Sequence, residues 1–171
     1  MRPSDALRTA AALVYPRRCP FCDRVLGWLP ACPDCAGELA RLRLAVPRLP
    51  TTEHLLKNMT GAAAVWRYDG CVRRAILRFK NGGRACYGQE LGAEMARVIF
   101  GCNCVWRHGI ITFSGVPPLA RFDLAVPVPA SGRGRGYNPP ELLARPLARA
   151  LGVPLYTGVT RAKKLCILAG E

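Results

Sequence analysis

The sequence contains no apolar run of about 18 or more residues, the length that a membrane-spanning helix needs. It also offers no secretory signal, because the apolar run Ala10 to Val14 is too short for a signal core and no suitable cleavage site follows it. We therefore expect a cytoplasmic protein without membrane insertion. Thiols stay reduced in that compartment, so paired cysteines are expected to bind metal rather than to form disulfides.

Acidic residues are scarce: 11 Asp and Glu face 25 Lys and Arg, for a formal net charge of +14. No two acidic residues are adjacent, and Glu141 has no partner carboxylate at a useful spacing, so no general acid–base pair and no catalytic residue is predicted. The positive charge suits a polyanionic partner, nucleic acid or phosphate. An Arg-rich composition inherited from a GC-rich genome explains the same excess without a function, and both interpretations stay open.

What the chain does contain is nine cysteines, four of them in two tight pairs. Nine residues separate the first Cys-x-x-Cys from the second; the four positions are Cys19, Cys22, Cys32 and Cys35. Two such turns can surround one ion with a tetrahedron of thiolates, a ligand set that selects zinc over magnesium or calcium. All four positions would be filled by protein, so the predicted Zn²⁺ is structural.

Other roles for these cysteines are weaker predictions. Two disulfides need an oxidising compartment, and an odd cysteine count would leave a thiol unpaired there. A redox Cys-x-x-Cys usually occurs once, near a βαβ pattern, not twice within 17 residues.

Cys102 and Cys104 with His108 could form a second metal cluster, but this group lacks a partner pair.

Three segments are predicted along the chain. An N-terminal helix lies within 1–16, with Ser4 as its cap and its end before Pro16. A zinc ribbon follows at 17–47, with a short hairpin at 25–29 between the pairs and a helix at 36–44. Pro47 and Pro50 indicate a linker. The remaining unit is 61–171.

The sequence pattern of residues 61–171 predicts an α/β fold. Apolar patterns indicate strands at 62–68, 122–129 and 153–157, and helices at 72–79, 87–100 and 141–151, the last interrupted by Pro146; 101–121 is predicted to be irregular. A strand, a loop, a helix and a strand in succession form a βαβ unit, which predicts a parallel sheet.

The loop at 130–137 is the second candidate site. Its glycines alternate with Arg133 and Arg135, and the next helix begins near Asn138. Ligands of open α/β sheets bind beyond the carboxyl ends of strands, where guanidinium groups and a helix N-terminus suit phosphate or pyrophosphate. A basic surface loop without a ligand explains the pattern equally well.

Four motifs, in this order after the cysteine module, resemble the ComF family over about residues 15 to 157. They are Tyr68-Asp69-Gly70-x-Val72-Arg73-x-x-Ile76, Phe79-Lys80-x-x-Gly83, Asp123-x-x-Val126-Pro127-Val128-Pro129 and Arg135-Gly136-Tyr137-Asn138. The resemblance implies an N-terminal double zinc ribbon joined to a type I phosphoribosyltransferase-like domain. It also implies that the last two motifs lie on the pyrophosphate side of the substrate site, with Arg133, Arg135, Gly136, Tyr137 and Asn138 as binding residues.

The chain departs from the family where 5-phosphoribosyl pyrophosphate should bind. Type I phosphoribosyltransferases hold the ribose hydroxyls with two adjacent acids and wrap the 5′-phosphate in a Thr/Gly-rich cradle. No adjacent acids exist here, and residues 161–171 do not resemble the family's sequence. We therefore expect a C-terminally truncated, incomplete parallel sheet with flanking helices, without transfer activity, and with a role for Mg²⁺ only where an intact site exists.

Three interpretations are compatible with these observations: the two functions that follow, and a gene remnant without a function. The first is a ComF-like protein connected with DNA uptake during competence, with single-stranded DNA and uptake proteins as partners implied by the resemblance. The second is a zinc-ribbon accessory protein that binds single-stranded nucleic acid without catalysis.

Overall fold

A computed structural model describes residues 14–50, 61–107, 110–115, 122–128 and 136–156. The predicted helix at 4–14, except Val14, lies outside these residues. No described helix has the length and apolar character to cross a bilayer. The described part contains four helices and two antiparallel strand pairs: α1 Pro33–Leu42, β1 Arg48–Pro50, β2 Gly61–Ala63, α2 Gly70–Asn81, α3 Tyr87–Phe100, β3 Asn103–Arg107, β4 Ile110–Ser114 and α4 Pro139–Leu151.

The helices lie close to where apolar periodicity places them. The bounds of α3 match the prediction, while α2 and α4 each begin two residues earlier than predicted. The Asp69 side chain accepts a hydrogen bond of 2.7 Å from the Gly70 amide and so caps α2. Gly101 and Gly152 end α3 and α4 in the left-handed region, which glycine enters without a side-chain clash.

The segment predicted to be irregular contains a β-hairpin, so that prediction was wrong. Trp106 of β3 lies opposite Ile111 of β4, and both side chains are buried. Cys104 is also buried, whereas the intervening Val105 is exposed. This alternation is the period-two pattern of a half-buried strand, and it is only a few residues long here.

The predicted linker at Pro47 to Pro50 was also wrong, because it contributes a strand. β1 pairs antiparallel with β2, and a further antiparallel bridge joins Arg43 to Trp66. Leu44 donates its amide to the Val65 carbonyl at 3.0 Å. The backbone that follows α1 is therefore held against the segment that leads into α2.

Parallel pairing is limited to one bridge within the described residues, between Ala125 and Leu155. Ala125 donates its amide to the Pro154 carbonyl, and its own carbonyl accepts from the Tyr156 amide, each at 2.9 Å. Helix α4 lies between these two segments in the chain. The fold class is thus mixed helix and strand, as predicted, and the described residues contain no parallel sheet.

Helices α3 and α4 approach closely at two glycines of α3. A Cβ atom on Gly88 would lie 2.6 Å from Cβ of Leu142, and one on Gly92 would lie 2.5 Å from the Leu143 carbonyl oxygen. Pro146, which sits inside α4 and is buried, packs against the same glycine. Since real Cβ contacts are longer than this, any side chain at either position would separate the helices.

We expect Gly92→Ala to lower the free energy of unfolding by about 1–3 kcal/mol, the usual cost of overpacking a tight contact. Gly37 in α1 is the matched control, because a Cβ there has no neighbour within 4 Å. Gly37→Ala should raise stability by about 0.5–1 kcal/mol, since alanine restricts the unfolded chain more than glycine does. Urea denaturation at fixed zinc concentration measures both, and equal effects of the two substitutions would contradict the packing argument.

Candidate metal centre

The first cysteine pair lies on a tight hairpin. An antiparallel bridge joins Arg18 to Val25, and Cys19 donates its amide to the Arg24 carbonyl at 2.8 Å. Asp23 adopts φ of 66°, a left-handed conformation that Asp tolerates better than most residues. The hairpin is therefore formed around the first pair, by residues 18 and 25, and not by residues 25–29 as predicted.

The second pair lies at the N-terminus of α1. Cys32 is the N-cap residue, a proline follows it in the first turn, and Cys35 is also in that turn. The positive end of the helix dipole and the free amides of a first turn both stabilise thiolates. One pair thus comes from a hairpin and the other from a helix start, which lets them face each other.

The four sulfur atoms form one compact group, with all of their Sγ atoms within 4.8 Å of one another. The Sγ atoms of Cys19 and Cys35 are 3.8 Å apart, and those of Cys22 and Cys32 are 3.6 Å apart. A tetrahedron with Zn–S bonds of about 2.3 Å separates its sulfurs by about 3.8 Å. The thiols are free, and their spacing fits a four-coordinate ion and is far longer than a disulfide bond.

The protonation of these thiols depends on burial and on backbone amides. Burial raises the pKa of Cys19 to about 11, although hydrogen bonds from the Cys22 and Phe21 amides favour its thiolate. Burial, together with the neighbouring thiols, also raises the pKa of Cys35. For Cys22 the burial is outweighed by the Arg24 amide and the other thiols, so its pKa is lowered. Binding of a cation would offset the cost of holding several thiolates together.

Side chains of α2 and α3 hold the hairpin in place. Arg78 donates to the carbonyls of Pro20 and Phe21 at 3.0 and 2.7 Å. The Tyr87 hydroxyl donates to the Asp23 carboxylate at 2.7 Å. Burial raises the pKa of Tyr87 to about 12, and donating this bond adds to the rise because only the protonated hydroxyl can make it. No local pattern in the sequence marks either residue as a partner of the cysteines.

Arg17, just before the first pair, makes the most buried ion pair of the described residues. Its Nε and Nη2 donate to the two carboxylate oxygens of Glu90 at 2.8 Å each, and both side chains are nearly buried. Burial raises the pKa of Glu90, against the opposite effect of Arg17. The guanidinium also lies 3.8 Å from the ring centre of Trp106, a cation–π contact.

Buried apolar residues also join the cysteine-rich segment to α2 and α3. The largest cluster joins cysteine-rich residues to the two helices: Cys19, Phe21, Leu26, Cys32, Cys35, Cys71, Val72, Ala75, Phe79, Tyr87 and Leu91. The ring of Phe21, between the two cysteines of the first pair, packs edge-on against Trp66 at 5.6 Å. The metal centre is therefore part of a larger core.

The second predicted site is only partly described. Arg133 and Arg135 lie outside the described residues, and Gly136 is exposed. Tyr137 packs its ring on Phe79 at 5.9 Å and donates its hydroxyl to the Phe79 carbonyl. Asn138 precedes α4 without making a side-chain cap bond, and its Oδ1 is shielded without a hydrogen-bond partner there.

The alternative cluster at Cys102 and Cys104 is only partly described, and within the described residues the four-cysteine group is the one set of potential metal ligands. His108 lies outside them. The Cys102 thiol donates to the Ala96 carbonyl at 3.4 Å, and burial raises the pKa of both thiols. Both cysteines are buried and act as small packing residues.

We expect purified protein to contain about one zinc per chain, since four thiolates complete one tetrahedral site. Replacing Cys32 by Ser should abolish that stoichiometry in elemental analysis. It should also speed amide exchange of α2 and α3, because these helices bond to the hairpin that the ion holds. Cys86→Ser is the control, as Cys86 is exposed and not one of the four. Full zinc content in the Cys32 variant would refute the site.

Comparisons of the chain with protein-family models, with curated proteins and with solved structures give no match. The interpretation of the metal centre therefore depends on the chemistry and geometry of its own residues.

Proposed function

We propose that this chain is a ComF-like protein in which a structural zinc centre supports a phosphoribosyltransferase-like α/β unit connected with DNA uptake. The observation that carries the proposal is the contact between two of the four motifs. Tyr137, from Arg135-Gly136-Tyr137-Asn138, bonds and packs onto Phe79, from Phe79-Lys80-x-x-Gly83. Motifs that are distant in sequence thus meet in space, as parts of one site should.

The chain path around α4 supports the same proposal. The parallel bridge between Ala125 and Leu155 has a loop and α4 between its partners, which is the connectivity of a βαβ unit. The loop follows the carboxyl end of the first segment, where α/β sheets bind ligands. In this proposal Arg133, Arg135, Gly136, Tyr137 and Asn138 bind the pyrophosphate side of the substrate, and the shielded Asn138 oxygen can accept a bond from a loop amide.

The proposal does not include phosphoribosyl transfer by these 171 residues. No two acidic residues are adjacent in the sequence, so nothing equivalent to the family's ribose-binding pair exists in it. Without that pair, Mg²⁺ and 5-phosphoribosyl pyrophosphate lose the groups that orient the ribose. The proposed contribution of the loop is then binding of phosphate groups alone.

We expect titration calorimetry to detect no saturable binding of 5-phosphoribosyl pyrophosphate with Mg²⁺ near micromolar concentration, where an intact site would supply about 8 kcal/mol. Inorganic pyrophosphate should bind weakly, and about as tightly as the full substrate, because the ribose gains no partner. Arg133→Ala with Arg135→Ala should remove the weak binding, whereas Arg41→Ala on α1 should not. Micromolar substrate binding would contradict the expected inactivity, and unaltered pyrophosphate binding by the double variant would contradict the loop assignment.

A second candidate function is binding of single-stranded nucleic acid by the zinc ribbon without catalysis. Two observations favour it. Trp28, between the cysteine pairs, is 70% exposed and could stack on a base. Next to the ribbon, α2 presents Arg73 and Lys80 on its exposed side, and neither has an ion-pair partner among the described side chains.

For this candidate we expect weak binding of single-stranded DNA, with the logarithm of affinity falling by about 0.7 per phosphate contact for each unit of log salt. Arg133→Ala with Arg135→Ala should lower the slope by about 1.4 if both touch phosphate. An unchanged slope would place the contacts elsewhere, and Arg73→Ala with Lys80→Ala then tests the face of α2. No binding at about 50 mM salt would leave the charge excess as a composition effect.

A further inference from the structure

A cleft of about 250 Å³ lies between α1 and α3, beside the four-cysteine group. Its walls are mainly apolar and include Leu26, Pro30, Ala36, Leu39 and Ala40. The volume is slightly below the range of about 300–1,000 Å³ that is usual for drug-sized ligands, so it would suit a smaller molecule.

The charged side chains that line the cleft leave an excess of positive charge. Glu90 lines the cleft but is already paired with Arg17. Three further charged side chains line the cleft, namely Arg43, Glu94 and Arg97. The Glu94 carboxylate accepts from Arg97 at 2.6 Å and from Arg43 at 3.3 Å. Two guanidinium groups thus share one carboxylate, which leaves a net charge of +1 in this trio.

Arg43 is the group best placed to accept a new anion. Its bond to Glu94 is the longer of the two, and its side chain is about half exposed. A guanidinium has five donors, so the remaining donors of Arg43 are free to bind a second carboxylate or a phosphate. Its backbone is held by the bridge to Trp66, so the side chain starts from a fixed position. A second, more open groove of about 380 Å³ also reaches Arg43 and Arg97.

We propose that this cleft binds a small amphiphilic anion, with its charged group on Arg43 and Arg97 and its apolar part against α1. The orientation follows from the two ends of α1: Arg43 is its C-cap and shares Glu94 with Arg97, whereas Cys32 is its N-cap. The rest of the cleft is lined by apolar side chains, among them Leu26, Leu39 and Ala40, which suit an apolar chain. The proposal is independent of the zinc ribbon's suggested role with DNA and of the phosphoribosyltransferase-like loop.

The test uses hexanoate as the probe and amide NMR shifts of the full-length, metal-bound chain as the readout. A carboxylate is chosen because phosphate probes could also bind the 130s loop. We expect saturable shifts in α1 and α3 with hexanoate at millimolar concentration, and at least about tenfold weaker effects of acetate and of 1-hexanol, which each supply half of the interaction. No saturation up to about 20 mM, or equal binding of acetate, would overturn the proposal.

Variants locate the binding. Arg43→Gln with Arg97→Gln should weaken hexanoate binding at least about tenfold, since both charged donors are lost. Arg41→Gln is the matched control, because Arg41 is exposed on α1 and does not line the cleft. Ala40→Phe should block the cleft while retaining one zinc per chain, and it keeps the test valid if the arginine pair proves necessary for folding. Unchanged binding in either the double arginine variant or the Ala40 variant would overturn the proposal.

Discussion

The structure depends on one constraint, the convergence of four thiols on a single point. A hairpin of about ten residues and the first turn of a helix have little apolar surface of their own, and small units of this kind seldom fold without an added crosslink or metal. Here the sulfurs lie at the separation that one tetrahedral ion requires. The ion's free energy of binding would then be part of the free energy of folding.

Hydrogen bonds and an ion pair attach the cysteine-rich segment to the rest of the structure. Arg78 satisfies two hairpin carbonyls, Tyr87 satisfies Asp23, and Arg17 joins Glu90 while it covers Trp106. Each bond connects the cysteine-rich segment to α2, α3 or the hairpin β3–β4. A buried ion pair of this type contributes little net stability, but loss of one partner leaves an expensive unpaired charge. The ion pair therefore penalises a misplaced cysteine-rich segment more than it stabilises the correctly placed one.

The sequence predicted those features that have a local signature. The cysteine spacing identified the four thiols that lie close enough to bind one ion, and apolar periodicity with terminal glycines identified α2, α3 and α4. The hairpin β3–β4 was missed because its buried alternation, Cys104 and Trp106, is too short to stand out. The contacts of Arg17, Arg78 and Tyr87 join residues more than fifty positions apart, and no local pattern encodes such pairs. The parallel sheet implied by the motifs stays a prediction, with one bridge described.

Helix α3 presents opposite sides to two different neighbours. Gly88 and Gly92 contact α4 on one side, while Glu90 and Glu94 face the arginines on the other, about half a turn away. Because α4 packs against the two positions of α3 that lack a side chain, this contact also determines which side of α3 carries the two carboxylates. Backbone packing thus places both carboxylates beside the cleft, so binding at the proposed site would need no movement of α3 and should follow single-step kinetics.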